Sequence, residues 1–369
     1  MMREQQRAKA LASRRRAAQV DSNESLALGH CFMPHSIPNG KVVLAGNIIA
    51  DNVKMIPFLP EKGMLAPILS MRRSVGGSVC NTGIALKTLD SALEVAALGK
   101  IGSDDAGDFV VNEMSRHGLD VSLVSRTDAA PTTFTDCMTL TTTGERTFFN
   151  MHGADSLLSP EDVDVSKLDC DIFHLGYLLL LDGMDAPDAE YGTKAARLLA
   201  KVQAAGIKTS IDIVSEQSDR FVSIVRPALR YCDYCVVNEI EAARATGRDG
   251  DDMRGLCEGL MSLGVKECAV VHRPEGSAAM DGAGRFASVG SLVLPEGWIV
   301  GSTGAGDAFC AGMLYSFLAG MSPEEGMRLA SCAAACNLSV ADSTSGARSL
   351  SETLDLEKRF KRRSVCWST

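Results

Sequence analysis

Apolar residues along the chain follow two alternating patterns. Short continuous apolar runs, beginning with residues 41–50, are typical of strands buried on both faces of a sheet. Stretches with apolar positions at helical spacing lie between these runs, for example at residues 79–89. Repeated strand–helix units predict an α/β fold with three layers, in which a mostly parallel central sheet is covered by helices on both sides. Ligands of such folds bind at the carboxyl ends of the strands.

The same reading extends over the rest of the chain. It predicts further strands at residues 93–98, 171–175, 207–213, 234–237 and 268–271. It predicts further helices at residues 106–117, 189–205, 218–229, 239–245, 252–263, 305–319, 323–340 and 351–360. Residues 132–150 differ, because β-rich sequence surrounds a turn at Gly144, and this predicts a hairpin outside the strand–helix series.

Composition limits the class of protein. Hydrophobic residues make up 46% of the 369 residues, charged residues 22% and aromatic residues 5%, an ordinary balance for a globular protein. The apolar runs are only as long as strands, so we expect no membrane partner. Twelve cysteines without a secretion signal favour reduced thiols and a cytoplasmic location.

Charge is distributed unevenly along the chain. Residues 1–20 contain six basic side chains and one acidic one, a net charge of +5, so the remaining residues carry −14 of the total of −9. An acidic body repels a phosphate backbone, and we therefore expect no nucleic-acid partner. Residues 1–38 are predicted to be a disordered basic extension, in preference to a targeting peptide, and residues 39–369 to be one domain.

A glycine-rich loop near the carboxyl terminus carries the strongest chemical signal. Residues 301–309 read GSTGAGDAF and precede a long apolar helix. Small residues at the start of a helix leave backbone N–H groups accessible to an anion, and Asp307 lies in the same turn. A carboxylate beside an anion site suggests phosphoryl transfer to a hydroxyl. On this motif alone, a purely structural Asp307 that complements the helix dipole is an equal alternative.

Several motifs in this chain resemble those of the ribokinase-like (pfkB) carbohydrate kinase family. The family's G-A-G-D motif corresponds to Gly304, Ala305, Gly306 and Asp307, and its di-glycine with a following Asn corresponds to Gly76, Gly77 and Asn81. Further matches occur in the family's order at Gly46, Asp51, Gly99, Gly102, Asp104, Gly107, Gly153, Ala154 and residues 238–241. The resemblance covers about residues 41–360 and implies a ribokinase-like fold and an ATP- and Mg²⁺-dependent kinase.

The resemblance also implies roles for individual residues. Asp307 corresponds to the catalytic base, and the backbone of Gly304, Ala305 and Gly306 to the anion hole. The residues that correspond to sugar ligands are Asp51, Gly76, Gly77 and Asn81. Those that correspond to nucleotide ligands are Asn238, Gly276, Thr303 and Gly306. Glu241 corresponds to the residue that organises Mg²⁺ through water, as hard oxygen ligands do.

Two segments resemble the small β-sheet lid that closes over the sugar in this family. They are residues 52–75 and 130–152. A small isolated sheet is marginally stable and its edges invite pairing. Relatives often pack two lids together, so the resemblance implies a homodimer through the lid. A monomer with a mobile or otherwise covered lid is the alternative.

Three departures from the family pattern affect specificity and cofactors. Gly301 stands where the family commonly has the Asp that helps to hold a monovalent cation, which makes potassium activation doubtful. Residues 271–276 read VHRPEG, and only Gly276 survives of the usual glycine pattern on the nucleotide side. Ile49 replaces an Asn of ribokinase itself, which weakens ribose as the specific substrate. Arg273 could contact a phosphate, but an exposed charge in a turn is favoured. His152 and His174 are each expected to be structural.

The leading interpretation is a kinase that phosphorylates a hydroxyl, expected to be a primary one, of a small carbohydrate or nucleoside. A dinucleotide-dependent oxidoreductase would require a glycine fingerprint after the first strand, and Ala45-Gly46-Asn47-Ile48-Ile49 does not provide one. A non-catalytic sugar-binding protein on a decayed kinase fold is less favoured, because Asp307 is present. A nucleoside-specific member of the same fold remains an alternative. The sequence does not identify the substrate.

Overall fold

A large sheet of nine strands forms the centre of the protein. The computed structural model describes residues 40–367. The strands of the large sheet run in the spatial order β15-β14-β13-β12-β11-β8-β1-β4-β5, parallel except for the antiparallel pairs β13–β14 and β14–β15. Their bounds are β1 Lys41–Ala45, β4 Glu94–Gly102, β5 Asp120–Thr127, β8 Ile172–Leu178, β11 Lys208–Ile213, β12 Tyr234–Asn238, β13 Cys268–Arg273, β14 Gly276–Asp281 and β15 Phe286–Gly290.

Helices cover both faces of this sheet. Their bounds are α1 Ser78–Leu89, α2 Asp105–Arg116, α3 Asp182–Asp185, α4 Lys194–Ala204, α5 Phe221–Leu229, α6 Glu239–Thr246, α7 Met253–Leu263, α8 Ala305–Ala319, α9 Pro323–Asn337, α10 Leu350–Leu354 and α11 Leu356–Arg359. Alternate residues of β1 enter different cores: Val43 packs in the cluster of α4–α7, and Val42 in that of α1, α2, α8 and α9. Because both faces of β1 are buried, its sequence is continuously apolar. The predicted three-layer α/β class is confirmed.

A second sheet of four strands is formed by two separate stretches of chain. It has the order β3-β2-β6-β7, with β2 Ile49–Ile56, β3 Ser70–Gly76, β6 Phe134–Leu140 and β7 Arg146–Met151. The β2–β6 pair is parallel, whereas β2–β3 and β6–β7 are antiparallel. Strands β9 Pro187–Asp188 and β10 Gly192–Thr193 form a minimal antiparallel pair, and short 3₁₀ turns cover Ala154–Leu157, Pro160–Asp162 and Val165–Lys167.

The predicted continuous strand at residues 41–50 is wrong. The chain leaves the large sheet after Ala45, and Ile49 begins β2 in the small sheet. Gly46 makes this change of sheet possible, since its φ is +144° and a Cβ there would lie 2.7 Å from the carbonyl oxygen of Gly176. The predicted helix at residues 351–360 is also divided, into α10 and α11, and β5 was not predicted, because its alternating sequence is only partly apolar.

The basic segment at residues 1–38 lies outside the described residues. Within residues 40–367, no helix has both the length and the apolar content that crossing a bilayer requires.

Candidate active site

A glycine-rich loop, residues 301–304, leads into α8, and Asp307 lies in the first turn of that helix. Gly304 precedes the helix with φ +77°, and a Cβ there would lie 2.6 Å from the carbonyl oxygen of Ser343. Only glycine fits both constraints. Asp307 lies in the first turn, where a carboxylate interacts favourably with the helix dipole, and only 5% of its surface is exposed.

Two donors from different elements hold one oxygen of Asp307. The side-chain amide of Asn81, on α1, donates to Oδ2 at 3.0 Å, and the hydroxyl of Tyr177, on β8, donates to the same atom at 2.9 Å. Among residues 40–367, no group donates to the buried Oδ1 of Asp307, and the buried Oδ1 of Asn81 also has no partner. Buried polar atoms normally find partners, so these two oxygens beside the glycine loop are candidates for contact with a ligand.

Burial and a neighbouring charge change the acidity of Asp307. Loss of solvent, followed by repulsion from Asp212, raises the pKa of Asp307 to about 7, and the hydrogen bonds from Tyr177 and Asn81 oppose this rise. A carboxylate with a pKa near neutrality is suited to general-base chemistry.

A cavity of about 170 Å³ opens beside Asp307. Strands β8, β11, β12 and β13 are parallel and contribute their carboxyl ends to it, as expected for ligand sites in such sheets. The residues that line it are Tyr177, Asp212, Ile213, Val214, Ser215, Val236, Asn238, Glu241, His272, Gly304, Gly306, Asp307 and Cys310.

The backbone at the end of β8 is strained. Tyr177 has φ +57° and Leu179 has φ +80°, values that cost about 1–3 kcal/mol each for residues with a side chain. Asp212 supports the first of them, because its Oδ1 accepts the backbone N–H of Tyr177 at 2.5 Å. Strain of this kind is found most often at functional sites.

The residues predicted to form the anion hole lie in the loop before α8 and in the first turn of that helix. The N–H of Ala305 donates to the carbonyl oxygen of Ser302 at 3.3 Å, so it is already engaged. The next N–H groups, of Gly306 and Asp307, belong to the first helical turn, where no carbonyl lies four residues back within the helix. Thr303 accepts a hydrogen bond of 2.7 Å from Arg146 of β7, which joins the small sheet to this loop.

Asn238 and Glu241 form a capping box at the start of α6. Asn238 Oδ1 accepts the N–H of Glu241, and Glu241 Oε2 accepts the N–H of Asn238, each at 2.9 Å. Ser215 donates to Glu241 Oε1 at 2.7 Å. Glu241 is therefore a buried residue on the cavity wall, and burial raises its pKa to about 7.

The residues predicted to bind sugar cluster where β2, β3 and α1 meet. A Cβ on Gly76 would lie 2.3 Å from Asp51 Oδ2, and one on Gly77 would lie 2.4 Å from the carbonyl oxygen of Asn47. Glycine is thus required at position 77, where φ is +85° and the close atoms are backbone, whereas a side chain at position 76 would displace the carboxylate of Asp51. Burial raises the pKa of Asp51 to about 6, and the side chain of Thr135 opposes that shift.

Four other residues from the sequence analysis do not line this cavity. A Cβ on Gly276 would meet the carbonyl oxygen of Val289, so this glycine serves the packing of β14 on β15. Arg273 pairs with Asp251 and Glu275. His152 pairs with Asp182 on the surface, and buried His174 contacts Ser210.

Sequence reasoning missed Tyr177 and Asp212. Each is a polar residue near the carboxyl end of a parallel strand. That position was the sequence signal by which they could have been found. Their partners lie far away in sequence, so the contacts themselves could not be predicted.

The α/β fold and the buried carboxylate beside a glycine-rich loop are consistent with a kinase. Residues 40–349 match the pfkB family of carbohydrate kinases, and the chain belongs to that family. An ATP-dependent ribose-1-phosphate kinase of Halopiger xanaduensis is 27% identical over 288 residues, covering 75% of this chain and 85% of the relative. An aminoimidazole riboside kinase of Salmonella typhimurium is 26% identical over 269 residues, covering 71% and 77%.

Solved structures show the same fold. Arabidopsis thaliana ribokinase complexed with ribose and ATP superposes with a TM-score of 0.72 at 22% identity, covering 87% of this chain and 99% of that one. An E. coli protein described as a ribokinase II, in complex with ATP and Mg²⁺, gives a TM-score of 0.70 at 19% identity, covering 87% and 99%. The sequence-based assignment to the ribokinase-like family is confirmed.

The acidity of Asp307 predicts a pH dependence. If its carboxylate accepts the substrate proton, kcat/KM falls about tenfold per pH unit below a pKa of about 7, because the protonated form cannot act as a base. Initial rates from pH 5.5 to 9 test this, with circular dichroism showing that the protein stays folded. A flat profile from pH 5.5 to 8 in folded protein would contradict it.

Proposed function

We propose that this protein transfers the γ-phosphate of ATP to a hydroxyl of a small carbohydrate or nucleoside. The observation that carries the proposal is the buried Asp307 carboxylate, whose Oδ1 is left without a partner among residues 40–367 beside the glycine loop. Oδ1 accepts the proton of the substrate hydroxyl as the hydroxyl oxygen attacks the γ-phosphorus, and the bond from that phosphorus to the bridging oxygen breaks, so that ADP leaves. The backbone of residues 304–306 stabilises the phosphoryl group, chiefly through the N–H of Gly306.

The acceptor binds on the side of Asp307 where α1 meets the small sheet. Asn81 bridges to Asp307, and its free Oδ1 accepts a hydroxyl of the acceptor. Asp51 provides a second carboxylate for a polyol, with Gly76 and Gly77 allowing the backbone to come close. The two curated relatives act on a ribose phosphate and a riboside by name, and both classes have a sugar hydroxyl to phosphorylate.

The cavity residues fit a magnesium ion held through water. Glu241, Asn238 and Ser215 offer hard oxygen donors on one wall, and both oxygens of Glu241 already accept hydrogen bonds, which favours contact through water. When bound, Mg²⁺ neutralises charge on the β- and γ-phosphates. Thr303 and Asn238 are the proposed nucleotide contacts.

The proposal includes no monovalent cation. A Cβ at Gly301 would lie 2.9 Å from the carbonyl oxygen of Val340, so the backbone leaves little space for the carboxylate that the family commonly has there.

The experiment that tests the function is ATP consumption with a panel of acceptors, with Mg²⁺ and with excess EDTA. The panel contains ribose, ribose 1-phosphate, fructose, 2-keto-3-deoxygluconate, tagatose phosphate and nucleosides. We expect Mg²⁺-dependent turnover with at least one acceptor, and Asp307→Asn to lower kcat by roughly a thousandfold, since a general base contributes about 10²–10⁴-fold. Near-wild-type turnover by folded Asp307→Asn protein would refute the role of Asp307.

Gly306→Ala tests the anion hole separately. A methyl group at this position would meet only the His272 ring, at 3.9 Å, outside its own helix and within the described residues, and it would occupy space in the cavity. We expect kcat/KM to fall at least about tenfold while the free energy of unfolding is unchanged or rises by up to about 1 kcal/mol, because alanine favours the helix.

Gly250→Ala is the matched control for Gly306→Ala. A Cβ at Gly250 makes one ordinary contact, with Ala243 at 3.8 Å. Full activity of Gly306→Ala, or equal losses in the two variants, would count against an anion site at Gly306.

We further propose that the small sheet is a lid and that two lids pair in a homodimer. Exposed apolar side chains concentrate on this part of the molecule, and contiguous patches of that kind mark interfaces. They are Phe58, Leu59, Met64, Leu65, Ile68, Leu69, Met71, Phe148 and Phe149. By strand alternation, Met71 and Phe149 share a face of the sheet, and Asp51 lies on the opposite face.

A charge on the outer face of the lid should dissociate this dimer. We expect light scattering of the wild type to give twice the 39.2 kDa chain mass, and Met71→Asp to give the monomer mass. Val222→Asp places the same charge on an exposed apolar residue of α5, outside the lid, and should remain dimeric. A monomeric wild type would exclude the dimer, and a dimer that survives Met71→Asp would place the contact elsewhere.

A further inference from the structure

We propose that Tyr177 is a positioning residue for the phosphoryl transfer. Its hydroxyl, together with the amide of Asn81, holds Oδ2 of Asp307, so that Oδ1 alone accepts the proton of the substrate hydroxyl. This inference rests on the proposed function and assigns a role to a residue that no sequence motif indicated.

The first support is the arrangement of donors on the carboxylate. Both the Tyr177 hydroxyl, on strand β8, and the Asn81 amide, on helix α1, donate to Oδ2, at 2.9 and 3.0 Å. Oδ1 receives no donor from residues 40–367. Two donors on one oxygen fix the rotation of the carboxyl group, and a fixed rotation is what a general base requires for alignment with a bound hydroxyl.

The second support is the backbone that carries Tyr177. The residue has φ +57°, a left-handed conformation that an aromatic residue rarely adopts. Asp212 Oδ1 accepts its N–H at 2.5 Å. The preceding Gly176 lies so close to α1 that a Cβ would be 2.3 Å from Ser78 Oγ. Strand β11 and helix α1 thus constrain the main chain at residues 176–177 from two sides. In this strained conformation the Tyr177 hydroxyl lies within hydrogen-bond distance of Asp307.

The electrostatic surroundings keep the Tyr177 hydroxyl protonated, so that it remains a hydrogen-bond donor to Asp307. Burial and the negative charges of Asp307 and Asp212 raise the pKa of Tyr177 well above 10, so its hydroxyl stays protonated through the working range. Its hydrogen bond lowers the pKa of Asp307, against the rise caused by burial. Among the described residues, the titratable groups that line this cavity or act on Asp307 are Cys80 on α1, Tyr177 on β8, Asp212 on β11, Glu241 on α6, His272 on β13 and Cys310 on α8.

Tyr177→Phe removes the hydroxyl and keeps the ring and the strained backbone. Loss of the donor raises the pKa of Asp307, so we expect the acidic limb of the kcat/KM profile to move up by about one pH unit. Activity should fall about five- to tenfold at pH 7 and return to within about twofold of the wild type at pH 9. The KM for ATP should not change, because the phenol contacts the base.

The control is Tyr231→Phe. Tyr231 precedes β12, at the opposite end of the strands from the site, and should leave the profile unchanged. A residue that serves only for packing would also leave the pH profile in place. An acidic limb of Tyr177→Phe that coincides with that of the wild type would overturn the proposal.

A second measurement does not depend on activity. Urea midpoints at pH 8 are compared for Tyr177→Phe in the wild type and in an Asp307→Ala background. We expect the substitution to lower the midpoint in the wild type and to leave it nearly unchanged where the carboxylate is absent. Equal shifts in both backgrounds would overturn the contact. If the wild type phosphorylates no acceptor, the proposed function fails and this role fails with it, while the urea series still measures the contact on its own.

Discussion

The structure around the cavity depends on one buried charge at the start of an apolar helix. Helix α8 is buried along most of its length, so its first turn lies inside the protein and takes Asp307 with it. A carboxylate that is removed from water tends to neutralise unless donors support its charged form. Asn81 and Tyr177 are those donors, the first on helix α1 and the second on strand β8. One carboxylate therefore fixes the relative positions of three elements that are distant in sequence.

Helix α8, which begins within the G-A-G-D motif, could be predicted from the sequence almost completely, because neighbouring residues determine where it begins and ends. Residues 305–319 were predicted as a helix and are one, because Gly304 and Gly320 bound an apolar stretch and both adopt a left-handed conformation. The capping box of Asn238 and Glu241 is equally local. Only the family resemblance assigned a role to Glu241, and its burial could not be predicted, since its neighbours on the cavity wall come from β11 and β12.

The parts that could not be predicted depend on contacts between distant segments. The apolar run at residues 41–50 gave no sign that it divides between two sheets, because both halves are buried and only the close approach of Gly46 to Gly176 shows the break. Tyr177 would not be expected at φ +57° from its residue type, and the N–H acceptor that supports this conformation belongs to Asp212, 35 residues away. The family motifs located the loop, Asp307 and Asn81, but the pKa of Asp307 also depends on Tyr177 and Asp212, which lie outside every motif.

Burial and hydrogen bonding have opposite effects on the pKa of Asp307. Their balance accounts for a carboxylate with donors on Oδ2 and none on Oδ1 among residues 40–367. Burial alone would keep the carboxyl group protonated near neutral pH, and a full set of donors would stabilise the carboxylate so well that it would be a weak base. Two donors on Oδ2 leave the pKa of Asp307 at about 7, between these limits. The Oδ1 atoms of Asp307 and Asn81, which have no partner among residues 40–367, each cost about 1–3 kcal/mol of folding stability. In the proposed reaction, a substrate hydroxyl that donates to Oδ1 of Asp307 would remove part of that cost on binding, so the stability given up in folding would become affinity and alignment at the reacting oxygen.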